Sequence, residues 1–415
     1  MDLLLKDGHV FWLGEEGKAP SLPEAPTILT ARGKVVCPGF IDLHCHLREP
    51  GFEEKETIAT GTRAGARGGF TTLCCMPNTN PPLDSRAVVD YVIQKARSEG
   101  VIRVLPIGCI SQGRRGEGLA EMGELAEAGV VGYSDDGAPV SNARLMRHAL
   151  EYSRGWKLPV ISHCEEISLT EGGQMNEGAV ATRLGLKGMP AEAEECMAAR
   201  DIALARLTGG RLHLAHISSA GSVELVRRAK EKGISVTAEV TPHHLTLTEE
   251  KVMGYDTNAK VNPPLRTRTD IAALLQGLRE GVIDAIATDH APHAAVDKMC
   301  EFGLAAFGIS GLETALGSLM TLVNQGELEL GLVIARLTSG PAGVLGGIPM
   351  KSGLGTLKVG SPADVTIFDP KGEWLVSEAS LISKGKNTPL LGTKLKGKVI
   401  ATIFGGRVVY KEGAP

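Results

Sequence analysis

Nowhere in the 415-residue sequence do 18 apolar residues run together, and the opening MDLLLKDGHVFWLGEEGK has neither a basic leader nor a long apolar stretch. A membrane-spanning helix and an export signal are not expected, so the chain is expected in the cytoplasm. No block of like charge is present: 44 Lys and Arg oppose 48 Asp and Glu, for a net charge of -4. That balance argues against a nucleic acid or an anionic membrane as partner. The eight cysteines (Cys37, Cys45, Cys74, Cys75, Cys109, Cys164, Cys196 and Cys300) form no CxxC pair, and scattered thiols in a reducing compartment are expected to be small buried apolar side chains. No GxGxxG follows the first strand, which leaves a dinucleotide site without support, and no internal repeat is visible.

What is present is enough apolar content, 43%, to bury one large core, with 52 glycines and 22 prolines marking many tight turns. Eight short apolar or β-branched runs recur between helical stretches, at about residues 40–45, 70–75, 102–109, 129–134, 158–162, 211–215, 234–239 and 282–288. Intervening segments such as SRAVVDYVIQKARSEG and AGSVELVRRAKEKG carry apolar residues at helical spacing and end on a basic residue and glycine. The alternation predicts an α/β fold, a (β/α)₈ TIM barrel over residues 39–344. Residues 1–38 and 345–415 instead alternate apolar and polar around Gly-rich turns, predicting a small β-sandwich domain formed from both chain termini.

In such a barrel the reactive groups lie at the C-terminal ends of the strands, so the residues ending each run are informative. The first run ends in FIDLHCHLREPG, with His44 and His46 two apart and on one side. The fourth ends in GYSDDG, where an ordinary Asp-Gly turn competes with a ligand role for Asp135 or Asp136. The fifth ends in VISHCEE with His163, the sixth in LHLAHISS with His216, and the eighth in AIATDHAPH with Asp289 behind the small residues Ala285 and Ala287. By the period of two, Leu212, Leu214 and His216 share a face, so His213 is expected to point toward the helices as a satisfied core histidine. A nitrogen and oxygen ligand set without thiolate suits zinc, with manganese or cobalt as substitutes. These ligands exceed one tetrahedral shell, which favours two metals sharing a bridging carboxylate and hydroxide, with a single ion as the alternative.

The set HxHxREPG, PNTNP (Pro77 to Pro81), SDDG, SHCEE, EGGQMNEG, AHISS, TPHHL, VNPPLR, TDHAPH and FGISGLETAL closely resembles the bacterial class I dihydroorotases of the amidohydrolase superfamily, from the first strand to beyond residue 400. Hydantoinases and allantoinases share several of these motifs but generally carry a carboxylated lysine on strand four, where this chain has SDDG. The resemblance implies a zinc-dependent cyclic amidohydrolase that interconverts N-carbamoyl-L-aspartate and L-dihydroorotate in pyrimidine biosynthesis. It implies that His44, His46 and Asp289 hold one metal, His163 and His216 the other, and that Asp136 bridges them, with Asp135 as its competitor. It further implies Asp289 as the catalytic acid/base, and His46, Arg48, Asn78, Asn262, His293, Phe307 and Gly308 as substrate contacts. Read without the resemblance, Arg48 is a surface ion-pair partner and Asn262 a turn residue before proline.

No ligand role is expected for His243 and His244. Many relatives carry acidic residues after DHAPH, whereas this chain has AAVDK, which puts the packing of that loop in question. A homodimer is the default assembly, and a complex with aspartate transcarbamoylase is compatible with activity. The rivals are another cyclic-amide hydrolase and a non-catalytic subunit, the latter opposed by retention of all six ligands.

Overall fold

The computed structural model describes residues 1–20, 26–347 and 352–413. The chain opens with an antiparallel hairpin, β1 (Asp2–Lys6) and β2 (His9–Gly14), then β3 (Val35–Pro38). β4 (Phe40–Cys45), β5 (Phe70–Cys75), β6 (Arg103–Pro106) and β7 (Val160–Ser162) follow, the first three pairing in parallel. β8 (Met175–Asn176) and β9 (Gly188–Met189) pair only with each other. β10 (Leu212–Leu214), β11 (Val236–Val240) and β12 (Ala285–Ile286) extend β7 into a second parallel sheet in the order β7, β10, β11, β12. β13 (Val365–Leu375), β14 (Lys394–Phe404) and β15 (Arg407–Lys411) close the sequence.

Single parallel bridges join the two parallel sheets. Tyr133 pairs with Gly108 on one side and Val160 on the other, and Cys45 pairs with His290 just past β12. The pairings thus run from β4 round to β12 and return to β4. The fourth predicted strand, 129–134, is not a regular strand. Gly129 sits at φ 107° and ends a helix, so only Val131, Tyr133 and Ser134 donate to the neighbouring backbones, at Pro106, Pro159 and Gly108. Residues Ile41, Leu43, Cys74, Met76, Ile107, Ile161, Ala215, Ala285 and Ala287 pack into one cluster.

The helices between strands follow from their caps and apolar faces. Helix Ala220–Glu231 starts at Ser219, whose side chain accepts from the Ser222 amide, and buries Val223, Val226 and Ala229. Helix Arg268–Arg279 starts with a reciprocal capping box between Thr267 and Asp270. Helix Arg86–Glu99 ends at Gly100. The two helical segments picked out by spacing, before residue 100 and before Gly233, are both helices.

The termini meet in an antiparallel sheet ordered β3, β13, β14, β15. Leu3 and Leu5 of β1 pack against its Val365, Ile367, Ala401 and Ile403. Asp7-Gly8 and Gly405-Gly406, all at positive φ, make two-residue turns whose twist matches the paired strands. Residues 21–25, 348–351 and 414–415, which fall in the expected terminal domain, lie outside the described residues. Six of the eight cysteines are buried, while Cys196 and Cys300 are exposed, against the expectation that all are interior. Among the described residues no helix is long and apolar enough to cross a membrane.

Candidate metal centre and substrate cleft

All six expected ligands lie at or just beyond the C-terminal ends of the parallel segments: His44 and His46 at the end of β4, Asp136 after Tyr133, His163 after β7, His216 after β10 and Asp289 after β12. Three site residues leave the pleat on left-handed backbone, Arg48 at φ 62°, His216 at 34° and Asp289 at 45°. Such conformations disfavour non-glycine residues by about 1–3 kcal/mol and persist where the surroundings enforce them. They also break the alternation on which the reading of β10 relied. Leu212 and Leu214 join the cluster that contains helix residues Val223 and Val226. His213 does not point toward the helices: its Nδ1 lies 2.8 Å from Thr237 Oγ1 and its Nε2 3.1 Å from Glu239 Oε2, both on β11. The two leucines take the helix side, and the polar ring turns to the neighbouring strand, where Nδ1 is hydrogen-bonded and Nε2 faces Glu239 without a hydrogen bond.

The carboxylate of Asp136 is the hub. Its Oδ1 lies 3.2 Å from His44 Nε2, 3.5 Å from His216 Nε2 and 3.7 Å from His163 Nδ1, and its Oδ2 3.5 Å from His46 Nε2. Asp289 Oδ1 lies 3.1 Å from His46 Nε2 and 3.6 Å from His44 Nε2. Asp135 is spent elsewhere, accepting from the amides of Ile110 and Ser111 and the Ser111 hydroxyl.

Three of the four ligand histidines have an outer nitrogen that faces an acceptor, whereas His216 Nδ1 is buried without a partner. His44 Nδ1 faces Glu239 Oε1 at 3.1 Å, His46 Nδ1 faces Asn78 Oδ1 at 2.8 Å, and His163 Nε2 faces Glu165 Oε2 at 3.0 Å. Each of those partners accepts, so each of these outer nitrogens carries a proton, and in the neutral ring the inner nitrogen presents a lone pair. Those lone pairs converge on two carboxylates that also only accept. His44 Nε2 and Asp136 Oδ1 are buried without a hydrogen-bond partner, and His163 Nδ1 faces His216 Nε2 at 3.0 Å. Lone pairs crowded in this way call for positive charge between them, a proton or a metal ion. The donor atoms fall into two groups, His44, His46 and Asp136, and Asp136, His163 and His216, each compact enough to hold a metal ion.

Burial pulls the His44 and His163 imidazoles down and pushes the Asp136 and Asp289 carboxyls up, but mutual attraction outweighs it: Asp136 with Glu239, and Glu165 with Asp136, raise the two histidines, and the histidines hold both carboxyls below the usual range, so a positive charge, proton or metal ion, is favoured among these carboxylates. Burial also acts on Glu239, and in part on the half-buried Glu165, yet contacts to His213 and His44, and to His163, Thr170 and Asn262, hold each at about 2. All four are therefore acceptors at neutral pH.

The expected substrate contacts fall into two neighbourhoods. Arg48 is half-buried beside His293: its Nε donates to Pro292 O at 3.2 Å, and Nη2 lies 3.4 Å from His293 Nε2. Burial lowers Arg48 only to about 10, which leaves it cationic, while burial and the Arg48 charge push His293 to about 3, which leaves it neutral. His293 Nε2 lies 2.8 Å from Phe307 O and so carries the ring proton. Gly308, at φ 143°, has no room for a side chain, since a Cβ would meet Ala291 at 2.8 Å and His293 Nε2 at 3.0 Å. Asn262 lies on the other side, donating to Glu165 Oε2 at 2.9 Å. It lines a cavity of about 450 Å³ together with Glu165, Lys260 and Phe307. Asn78 holds His46 and is not among the residues that line this cavity.

The AAVDK loop is packed. Lys298 Nζ donates to Thr257 O, Lys260 O and Ala306 O, and Lys260 Nζ to Phe302 O and Gly303 O. His244 is structural, its ring held between Thr241 Oγ1 and Pro263 O, and neither it nor the buried His243 belongs to a metal group. Residues that the sequence reading passed over are Glu239, Glu165 and Asn387. Asn387 Oδ1 accepts from the His293 amide and its Nδ2 donates to Ala291 O and Gly308 O, which ties the C-terminal region to the cleft. A glutamate inside the buried run VTAEV was the one available signal for Glu239.

A family model described as Dihydro-orotase-like matches residues 33–222. A curated dihydroorotase of a Geobacter species (strain M21) is 52% identical over 413 residues, covering 100% of this chain and 95% of that relative. One from Pelotomaculum thermopropionicum is 56% identical over 386 residues, 93% of this chain and 89% of the relative. Among solved structures, an L-hydantoinase (dihydropyrimidinase) from Arthrobacter aurescens superposes with a TM-score of 0.89 at 25% identity, covering 99% of this chain and 92% of that one.

Proposed function

The chain belongs to the dihydroorotase family, and from that premise we propose that its six-residue centre is a zinc site at which the reversible cyclisation of N-carbamoyl-L-aspartate to L-dihydroorotate takes place. The observation that carries this reading is Asp136: one carboxylate shared by two compact ligand groups whose inner histidine nitrogens converge on it. His44, His46 and Asp289 would hold one ion, His163 and His216 the other, with Asp136 common to both. Zinc supplies a water of lowered pKa and polarises the ring carbonyl.

The chain's own residues do the rest. Asp289, ionised and 3.1 Å from His46, takes the proton of the attacking water on its carboxylate and passes it to the ring nitrogen as the C–N bond opens. In the cyclising direction it takes the proton of the ureido nitrogen as the C–N bond closes and returns it to the departing hydroxide, which leaves as water. The Arg48 guanidinium pairs with the substrate carboxylate, helped by His293 and by the Nδ2 of Asn78, whose Oδ1 is committed to His46. Asn262 and the backbone at Phe307 and Gly308 contact the ring.

We further propose that the parallel circuit is a (β/α)₈ barrel over residues 39–344, flanked by a small β-sandwich domain from residues 1–38 and 345–415. The returning pairing of His290 with Cys45 supports the first, and the packing of Leu3 and Leu5 on β13 and β14 the second.

The test is ring opening of L-dihydroorotate, followed by ultraviolet absorbance, with zinc present and after chelation, alongside hydantoin and allantoin. Zinc-dependent opening of dihydroorotate alone is expected. Preference for either other ring, or turnover that survives chelation, overturns the reading.

A further inference from the structure

Glu165 touches both a proposed metal ligand and a proposed ring contact. Its Oε2 lies 3.0 Å from His163 Nε2 and 2.9 Å from Asn262 Nδ2, and its Oε1 accepts from Thr170 Oγ1 at 2.6 Å. The side chain is 12% exposed, at the wall of the cavity that Asn262 also lines. Because both its oxygens are accepting, Thr170 holds the carboxylate in one rotamer and Oε2 takes two donors at once.

This fixes the direction of the Asn262 amide. A carboxylate facing it demands the NH₂ end, so Oδ1 is turned away, and that oxygen accepts no hydrogen bond from the described residues. The remaining polar atom of Asn262 is an acceptor, suited to a ring N–H of dihydroorotate or a ureido N–H of the open form.

We propose that Glu165 is a positioning residue that holds His163 and Asn262 as one unit, so that the metal ligand is oriented and the amide reads an N–H donor of the substrate. This rests on the dihydroorotase reading and on the zinc site. A double-mutant cycle separates it from a general role in folding. In Glu165→Ala, zinc bound by the purified protein, measured by competition with a chromogenic chelator, should weaken by about 10- to 100-fold. Asn262→Ala should raise KM about tenfold in the wild-type background but less than about twofold in Glu165→Ala, because the amide has already lost its fixed direction. Glu165→Gln keeps the size and one acceptor oxygen. It supplies the same two readouts should the alanine variant fail to fold, with a smaller zinc loss and a partly retained Asn262 effect. Wild-type zinc affinity in these variants, or KM effects that simply multiply, overturns the proposal. The zinc titration uses no substrate, and the cycle is read on whichever ring the wild type opens, so its failure is distinct from failure of the dihydroorotase reading.

Discussion

Glu239 Oε1 lies 3.1 Å from Nδ1 of His44, and its other oxygen lies 3.1 Å from Nε2 of His213. A fully buried carboxylate therefore sets the proton position on a metal ligand and raises the basicity of the nitrogen turned inward. Glu239→Gln preserves the shape but replaces one acceptor with a donor. Zinc affinity is expected to fall by about 10- to 100-fold, measured by chelator competition. An unchanged affinity would mean that His44 keeps its tautomer without Glu239.

Asp289 faces both His44 and His46 and is ionised in the folded protein. Asp289→Asn removes the proton acceptor while leaving an oxygen toward the histidines. In a zinc-replete preparation, kcat should drop by about 10²- to 10⁴-fold, the range ascribed to a positioned acid/base. Dihydroorotate binding, measured by calorimetry on the inactive variant, should change far less. Retained turnover would remove Asp289 from the proton-transfer role.

Much of this site was readable in the sequence because strand ends are local features. His44, His46, Asp136, His163, His216 and Asp289 each follow an apolar run, and the structure gathers them. Side-chain parity failed where the backbone leaves the pleat: at His216, with φ 34°, alternation no longer carries over, and His213 was turned to the wrong side. Choosing between Asp135 and Asp136 needed the amides of Ile110 and Ser111, which occupy the former. Supporting residues were hidden by distance along the chain. Glu239 is 195 residues from His44, and Asn387 is 94 from His293, separations that no local pattern spans. The fourth strand was overcalled because two glycines and a single bridging residue do not sustain a ladder.

Arg48 owes its aim to its backbone as well as its charge, since φ 62° directs the side chain so that Nε donates to Pro292 O. Lysine supplies the charge but neither that anchor nor the planar fork. Arg48→Lys should raise KM for dihydroorotate by roughly 10- to 100-fold, matching about 1.5–3 kcal/mol for a charged hydrogen bond, with kcat much less affected. Steady-state kinetics decide this; an unchanged KM would point to a structural ion-pair role.

Lys298 offers a pH signature for the strap that carries His293 and Phe307. Burial, reinforced by the charge of Lys260, pushes its ammonium down to about 7, against about 10.4 for an unfolded lysine. Below pH 7 both states carry the proton, and the folded state bears the full penalty of a buried charge. Between about pH 7 and 10 the folded protein has released a proton that the unfolded chain keeps, so stability from this group rises with pH, at most by roughly 1 kcal/mol per pH unit. Lys298→Met removes the titration. Its denaturant unfolding free energy, plotted against pH, should therefore gain on the wild type as pH falls toward 7 and lose that advantage as pH approaches 10. Parallel curves across this window would mean that Lys298 titrates as a solvated lysine and that its three carbonyl partners do not hold it away from water.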